Sequence, residues 1–542
     1  MADNPPDNCN ELFIAVVAAV GADIGLVISQ IGTRLSEYSY EVHNLRLSTY
    51  LAEHADEDFR ELPFDERVWA AMTAGDDLRR GWDRSDALAL HAISDIVATR
   101  EQIWKKRAGE GTEDELEERP PPLDRHAFVI RSLKTPDELE TLRAVYGPRL
   151  IVVAAFSPRD ERLAHLAREI EDSRGSDDQG TWARTPEELV DRDEKEEQRS
   201  RGQDVSGTFH RADFFVRGWD REVIEDDLKR AFEILFGEPF RTPTPDEYCQ
   251  FMATGAALRS AELPRQVGAA IATPDGSLIS LGTNEVPKAG GGSFWDGAED
   301  GNREFEASEI DTNRKHFDQL GGQLADAVDS ELRRVIEEEK DVDVLPAQRL
   351  DEVRAAAVES LPAALRDAGL KELTEFGRAV HAEMNALLDA GRRGIAVQDA
   401  TLFTTTFPCH NCARHIIGAG IARVVFVEPY TKSRAADLHG DAVIVDELGG
   451  HGNESDRDRI TVEAFVGVAP RRYLEMFDAA ARERLGHCAR QDDRGQRQRL
   501  DKKSAVPVFS DAGLAQFRPE LREYRAKELL ALEHFDKHDT GG

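Results

Sequence analysis

Cysteine is scarce in this chain of 542 residues: Cys9, Cys249, Cys409, Cys412 and Cys488 are the whole complement. Five thiols so scattered cannot brace a disulfide-stapled secreted fold, and a reducing cytoplasm is the expected home. Long apolar runs are missing as well. No stretch approaches the roughly 20 residues that cross a bilayer, so no membrane partner is expected. The start, Met1-Ala2-Asp3-Asn4-Pro5-Pro6-Asp7, lacks the basic-then-apolar order of a signal peptide. Positive charge is the third shortage, with 69 Lys and Arg against 104 Asp and Glu and a net charge of -35. Such a surface repels a long polyanion unless cations gather in a groove, which makes nucleic acid a poorer partner than a free nucleotide. Arg378, Arg392, Arg393, Lys432, Arg434, Arg471 and Arg472 are the local cations a nucleotide would need. The length suits about two to four domains.

What is present is concentrated in two short stretches, Val380-His381-Ala382-Glu383-Met384-Asn385-Ala386 and Thr405-Thr406-Phe407-Pro408-Cys409-His410-Asn411-Cys412. His381 and Glu383 open an expected helix that runs to Gly391, so both can face one pocket while the apolar positions pack behind. Pro408 suits the first turn of a second helix, with Cys409 and Cys412 one turn apart near its positive end. One His and two Cys leave a tetrahedral Zn2+ with a fourth position for water, as in catalytic sites. Water there becomes a nucleophile near neutral pH, and the unligated Glu383 is the natural proton carrier. Cys-x-x-Cys alone also serves redox pairs and structural zinc sites. The order His-Ala-Glu, then Pro-Cys-x-x-Cys, favours zinc-dependent deamination. Thr401 to Phe407 and Ala422 to Val427 read as buried strands around the Cys helix, a β-α-β unit.

In the first half, Leu12 to Val20 reads as a buried parallel strand, followed by the turn Gly21-Ala22-Asp23-Ile24-Gly25, a helix and a strand from Tyr40 to Leu47. That order begins a phosphate-binding α/β fold, with Gly21 and Gly25 as candidate cofactor-binding positions. Ala127 to Ile130 and Leu150 to Phe156 read as further strands, and Thr135-Pro136-Asp137-Glu138 as a capped helix start. Asp191 to Arg201 is a charge run expected to form an exposed helix or a mobile lid. Arg241 to Glu247 is read as a linker into a second capped helix. Gln266 to Ile271 and Leu278 to Leu281 form an expected hairpin that ends in Gly282-Thr283-Asn284.

Two resemblances follow. Leu133-Lys134-Thr135-Pro136-Asp137-Glu138, Val145-Tyr146-Gly147, Ser157-Pro158-Arg159 with Arg162, and Gly202-Gln203-Asp204-Val205 with Thr208-Phe209 and Ala212-Asp213 resemble the P-loop, nucleoside-monophosphate-kinase-like domain of the anti-phage dCTP deaminase family. Gly21 to Ser29 departs from it by having no Gly-Lys-Ser/Thr, so phosphoryl transfer is not expected and a regulatory nucleotide or RNA, or a scaffold role, is. Pro264 to Arg472 resembles dCMP deaminases. That likeness implies Asn284 as a nucleotide contact; Tyr430 could stack on a base and Lys432 could face a phosphate.

The expected architecture is therefore α/β throughout: a degenerate P-loop kinase-like parallel-sheet domain over 1–240, and a cytidine-deaminase-like α/β/α domain over 245–490 with an insertion at 288–378. A partly helical tail occupies 491–542. The resemblance implies deamination of deoxycytidine nucleotides, dCTP or dCMP, draining that pool in phage defence, and a homo-oligomer is expected. The rivals are an RNA- or DNA-editing deaminase and a non-catalytic nucleotide sensor with structural zinc.

Overall fold

Leu12–Val17 is buried at all six positions, as a strand covered on both faces must be. The structure, a computed structural model, describes residues 10–55, 58–108, 122–174, 183–196, 202–297, 303–307, 310–338, 347–367, 376–430, 433–445, 459–484, 487–492, 494–508 and 523–539. The first half runs β1 (Leu12–Val17), α1 (Ile24–Glu37), β2 (Glu41–Arg46), α2 (Leu47–His54), α3 (Phe64–Gly81), α4 (Ala87–Ala108), β3 (His126–Leu133), α5 (Pro136–Tyr146), β4 (Leu150–Phe156), α6 (Arg159–Arg174), α7 (Pro186–Glu196), α8 (Val205–Phe209), β5 (Phe214–Arg217) and α9 (Arg221–Leu235). The second runs α10 (Pro245–Ala257), β6 (Gly268–Ala272), β7 (Leu278–Thr283), α11 (Glu304–Ala307), α12 (Thr312–Glu338), α13 (Ala347–Asp367), α14 (Ala382–Arg392), β8 (Thr401–Thr406), α15 (His410–Gly418), β9 (Arg423–Glu428), α16 (Ala435–His439), β10 (Val443–Val445), β11 (Ile460–Ala464), β12 (Gly467–Val468), α17 (Tyr473–Phe477), α18 (Ala479–Arg484) and α19 (Glu523–Asp539).

These elements build two parallel-rich sheets. The first has the order β12-β5-β4-β1-β3-β2 and is parallel apart from β12. The second has the order β10-β11-β9-β8-β6-β7, parallel from β10 to β8 and antiparallel across β6 and β7. Both capped helix starts read from the sequence are present, each as a capping box. Thr135 and Glu138 exchange hydrogen bonds at the start of α5, and Thr244 and Glu247 do so at α10.

The two halves are knitted together. Strand β11 ends at Ala464, and by Gly467 the chain has crossed to the other sheet. There Gly467 and Val468 pair antiparallel with Phe215 and Phe214 of β5. A two-residue strand has no periodicity to read, which is why the crossing is invisible in the sequence. Phe465, inside the crossing, packs edge-on against Phe215 at 5.7 Å, and Glu247 accepts from the Val468 N–H at 3.0 Å. One apolar core runs from Phe13 and Phe128 of the first sheet to Ala270, Phe403 and Val425 of the second. The insertion contributes α12 and α13, which pack on each other and leave Leu324, Val328, Leu332, Val335 and Val353 exposed. Among the described residues no helix is long and apolar enough to cross a membrane.

Candidate metal centre

The second sheet aims two helix starts at one point. Val380 and Glu285 exchange backbone hydrogen bonds at 3.3 and 3.1 Å, which holds the approach to α14 beside the end of β7. His381 then adopts extended backbone as the N-cap residue of α14 yet makes no side-chain cap bond. Its ring is turned to the cysteines instead. Nδ1 lies 3.3 Å from Cys409 Sγ and 3.5 Å from Cys412 Sγ. Cys409 is the N-cap of α15, so Pro408 stands just before that helix rather than in its first turn. The Cys409 sulfur accepts the Cys412 backbone N–H at 3.4 Å, a thiolate doing the work of a cap.

The donor set fits zinc. With Zn–S near 2.3 Å and Zn–N near 2.0 Å, a tetrahedral S···N edge is about 3.5 Å, the spacing seen here. The three ligand atoms all lie within 4.8 Å of one another. Glu383 stays outside this triangle. It is 4 % exposed, and Cys412 Sγ lies 3.4 Å from its Oε2. Burial, then the nearby Cys409 charge, pushes its carboxyl above the ordinary range. The hydrogen bond from Cys412, then His381, pulls the Cys409 thiol down to about 4, against burial. The bond to Cys409 lifts His381 to about 9. Sharing that proton pushes the Cys412 thiol up, so a cation entering here releases protons as it binds.

The helix carrying His381 and Glu383 rests directly on bare backbone. A Cβ built on Gly282 would overlap the Ala382 carbonyl oxygen and the Ala386 nitrogen. Gly282→Ala must therefore push α14 off the sheet. We expect a loss of about 1–3 kcal/mol in stability together with weaker zinc retention, read by urea melts and metal analysis. Unchanged metal content would break the link drawn between that contact and the ligand position.

The other residues singled out from the sequence are placed as follows. Asn284 follows β7 and spends its side chain on backbone: Oδ1 accepts from Val267 N–H at 2.7 Å and Nδ2 donates to the Arg265 carbonyl at 2.8 Å. It shapes the loop beside Glu285 and Val380. Tyr430 follows β9, and the next described turn is tied to the cysteine helix by Ser433 Oγ, which donates to the Pro408 carbonyl at 2.7 Å. Lys432 lies outside the described residues. Gly21 and Gly25 sit in the other half, Gly21 in the β1–α1 turn and Gly25 in the first turn of α1.

Sequence reading missed Glu262. Nothing around it marks a site, yet its field reaches His381, and burial followed by the charges of Glu304, Glu285 and Asp311 raises its carboxyl to about 7 from 4.5. A raised acid favours the fold while protonated, so this contribution is whole below about pH 4.5 and is lost as pH climbs through 7. Glu262→Gln should accordingly be more stable than the parent at pH 8, by about 1 kcal/mol after allowing for solvent screening, and indistinguishable at pH 4. Urea melts at the two pH values check this.

Residues 243–428 match the family model described as the cytidine and deoxycytidylate deaminase zinc-binding region. The deoxycytidylate deaminase of Enterobacteria phage T2 is 42% identical over 55 residues, which is 10% of this chain and 29% of that protein. That of Saccharomyces cerevisiae is 47% identical over 51 residues, 9% of this chain and 16% of its own length. The chain thus matches less than a third of the length of these relatives. Among solved structures, the dCMP deaminase of cyanophage S-TIM5 in complex with dCMP and dUMP aligns at 16% identity and a TM-score of 0.22, covering 42% of this chain and 99% of that one. The second half of the chain carries a deoxycytidylate-deaminase-like zinc-binding region.

Proposed function

We propose that this protein is a zinc-dependent deaminase of deoxycytidine nucleotides, converting dCTP, dCMP or both to the uracil nucleotide with release of ammonia. The observation that carries the reading is Glu383: a buried carboxyl beside a His/Cys/Cys donor set and not one of its ligands. A purely structural site has no use for such a group. His381, Cys409 and Cys412 would hold a zinc ion, which would supply an acidified water as the nucleophile for C4 of the ring. Glu383 takes one proton from the attacking water and gives it to the ring N3, then takes the second proton from the hydroxyl added at C4 and gives it to the amino group, so that the C4–N bond breaks, the C4 carbonyl forms and ammonia leaves. Its raised affinity for protons suits both duties.

The same proposal assigns Asn284 to a polar contact with the nucleotide, Tyr430 to stacking on the base and Lys432 to the phosphate. It treats the first half as a regulatory, P-loop-like unit without phosphoryl transfer, the whole as a cytoplasmic homo-oligomer, and nucleotide depletion in phage defence as its use. Incubation of the zinc-loaded protein with dCTP, dCMP, deoxycytidine, cytidine and adenosine, with products separated by chromatography, tests it. Turnover of dCTP or dCMP well above the free nucleosides is expected. Equal turnover of deoxycytidine would remove the nucleotide assignment, and a zinc-loaded protein that deaminates none of them would remove the activity.

A further inference from the structure

In a parallel sheet, ligands bind in the crevice beyond the carboxyl ends of the strands where the chain switches direction. Here that place is the end of β1, flanked by β3 and β4. Three cations reach it. Lys134, directly after β3, sets its Nζ 3.3 Å from the Ala18 carbonyl. Arg159 and Arg162 follow β4, and Arg162 Nη1 lies 3.4 Å from the Val20 carbonyl. Gly21 permits this approach: its φ is +92°, and an added Cβ would stand 2.8 Å from the Arg162 Cβ.

Helix α7 covers the crevice with acids. The sequence predicts an exposed helix or lid here, yet Asp193 is 3 % exposed. Its Oδ2 accepts the Val20 backbone N–H at 2.8 Å, while Oδ1 lies 3.7 Å from Lys134 Nζ with no hydrogen-bond partner. Glu194 accepts from Arg159 and Arg162, each at 2.9 Å, and Asp191 accepts from Arg159 at 2.7 Å. A turn N–H, one lysine and two arginines converge on the carboxylates of α7, buried at Asp193 and partly exposed at Asp191 and Glu194, and form a donor set for phosphate.

We propose that this crevice binds the phosphate chain of a nucleoside di- or triphosphate, and that α7 closes it with Asp191, Asp193 and Glu194 as internal phosphate mimics. Lys134, arriving from β3, supplies the cation that the β1–α1 turn itself lacks. The lid has its own anchorage. Leu189 and Val190 pack with Leu166 and Ile170 in a small cluster apart from the main cores, and Trp69 is stacked on by Arg184 at 4.1 Å and Arg192 at 4.2 Å. It can open without unpacking either sheet. A ligand must compete with it, so affinity in the native protein is lowered by the fraction of molecules that are open.

Calorimetric titration of the full-length protein with ATP, dCTP and inorganic pyrophosphate tests this, beside the variant Asp191→Asn/Asp193→Asn/Glu194→Gln. Asparagine at 193 still accepts the Val20 N–H. The variant should bind a polyphosphate at least about tenfold tighter than the parent, since three competing charges are gone. Adding Lys134→Gln should abolish the gain and Lys134→Arg should keep most of it. Equal binding of pyrophosphate and nucleotide means that phosphates alone are read; tighter nucleotide adds a base contact, and either supports the site. No binding by either protein, affinity unchanged by neutralising the acids, indifference to Lys134→Gln, or preference for single-stranded RNA over nucleotide would overturn it. Should the triple variant melt below the assay temperature, Asp193→Asn alone is judged by the same criteria. Deamination is not the readout, so this result stands or falls apart from the activity proposed above.

Discussion

Glu383→Ala is expected to retain one zinc per chain and to lose deamination by about 10²–10⁴-fold in kcat, the usual contribution of a positioned general acid and base. Metal should stay because the candidate ligand atoms are the His381 nitrogen and two sulfurs, and the carboxylate is not among them. KM should move little, because the carboxylate acts on protons that shift only as the reaction proceeds. Cys412→Ala is the complementary variant. It removes a buried ligand, so zinc and activity should fall together. Metal analysis beside steady-state kinetics separates the two roles, and a Glu383→Ala protein that has lost its zinc would make the carboxylate a ligand or a support for one.

The site was legible because its parts lie close in sequence and each sits at a helix start, where His-x-Glu and Cys-x-x-Cys spacings translate directly into a shared direction. The strands β1, β3 and β4 were legible for a similar reason: uninterrupted apolar runs have few other uses in a chain this charged. Capping at Thr135 and Thr244 marked two helices to within a residue. Where distant segments meet, the sequence is silent. Asp193 belongs to a charge run like many others, and only the fold shows that it is buried against Val20 and Lys134. Asn284 could be named, but its use by the backbone of Arg265 and Val267 depends on a loop geometry that no spacing reveals. Glu262 carries no local mark at all, because its perturbation is the sum of acids gathered from three separate segments.

Arg100→Ala is expected to cost about 3–5 kcal/mol of stability, the price of stranding buried charge. Arg100 is 2 % exposed and lies between Glu11 at 0 % and Glu528 at 3 %. It donates to Glu11 at 3.0 and 2.9 Å and to Glu528 at 3.0 and 2.9 Å, so one guanidinium fork neutralises two carboxylates. Phe13 and Phe128 lie beneath it, with ring centres 5.9 and 5.8 Å away. Removing the fork leaves two buried acids facing each other across an apolar wall. The triad also joins the start of β1 to α4 and α19, so the loss should release the last helix before the sheets melt. Hydrogen exchange of residues 523–539 should rise first, followed by a lower urea midpoint for the whole chain. Adding Glu528→Gln to Arg100→Ala should restore part of the loss, because it removes one of the two unpaired charges while keeping its shape. If the double variant is no more stable than Arg100→Ala, the cost lies in lost packing on the two phenylalanines and not in charge.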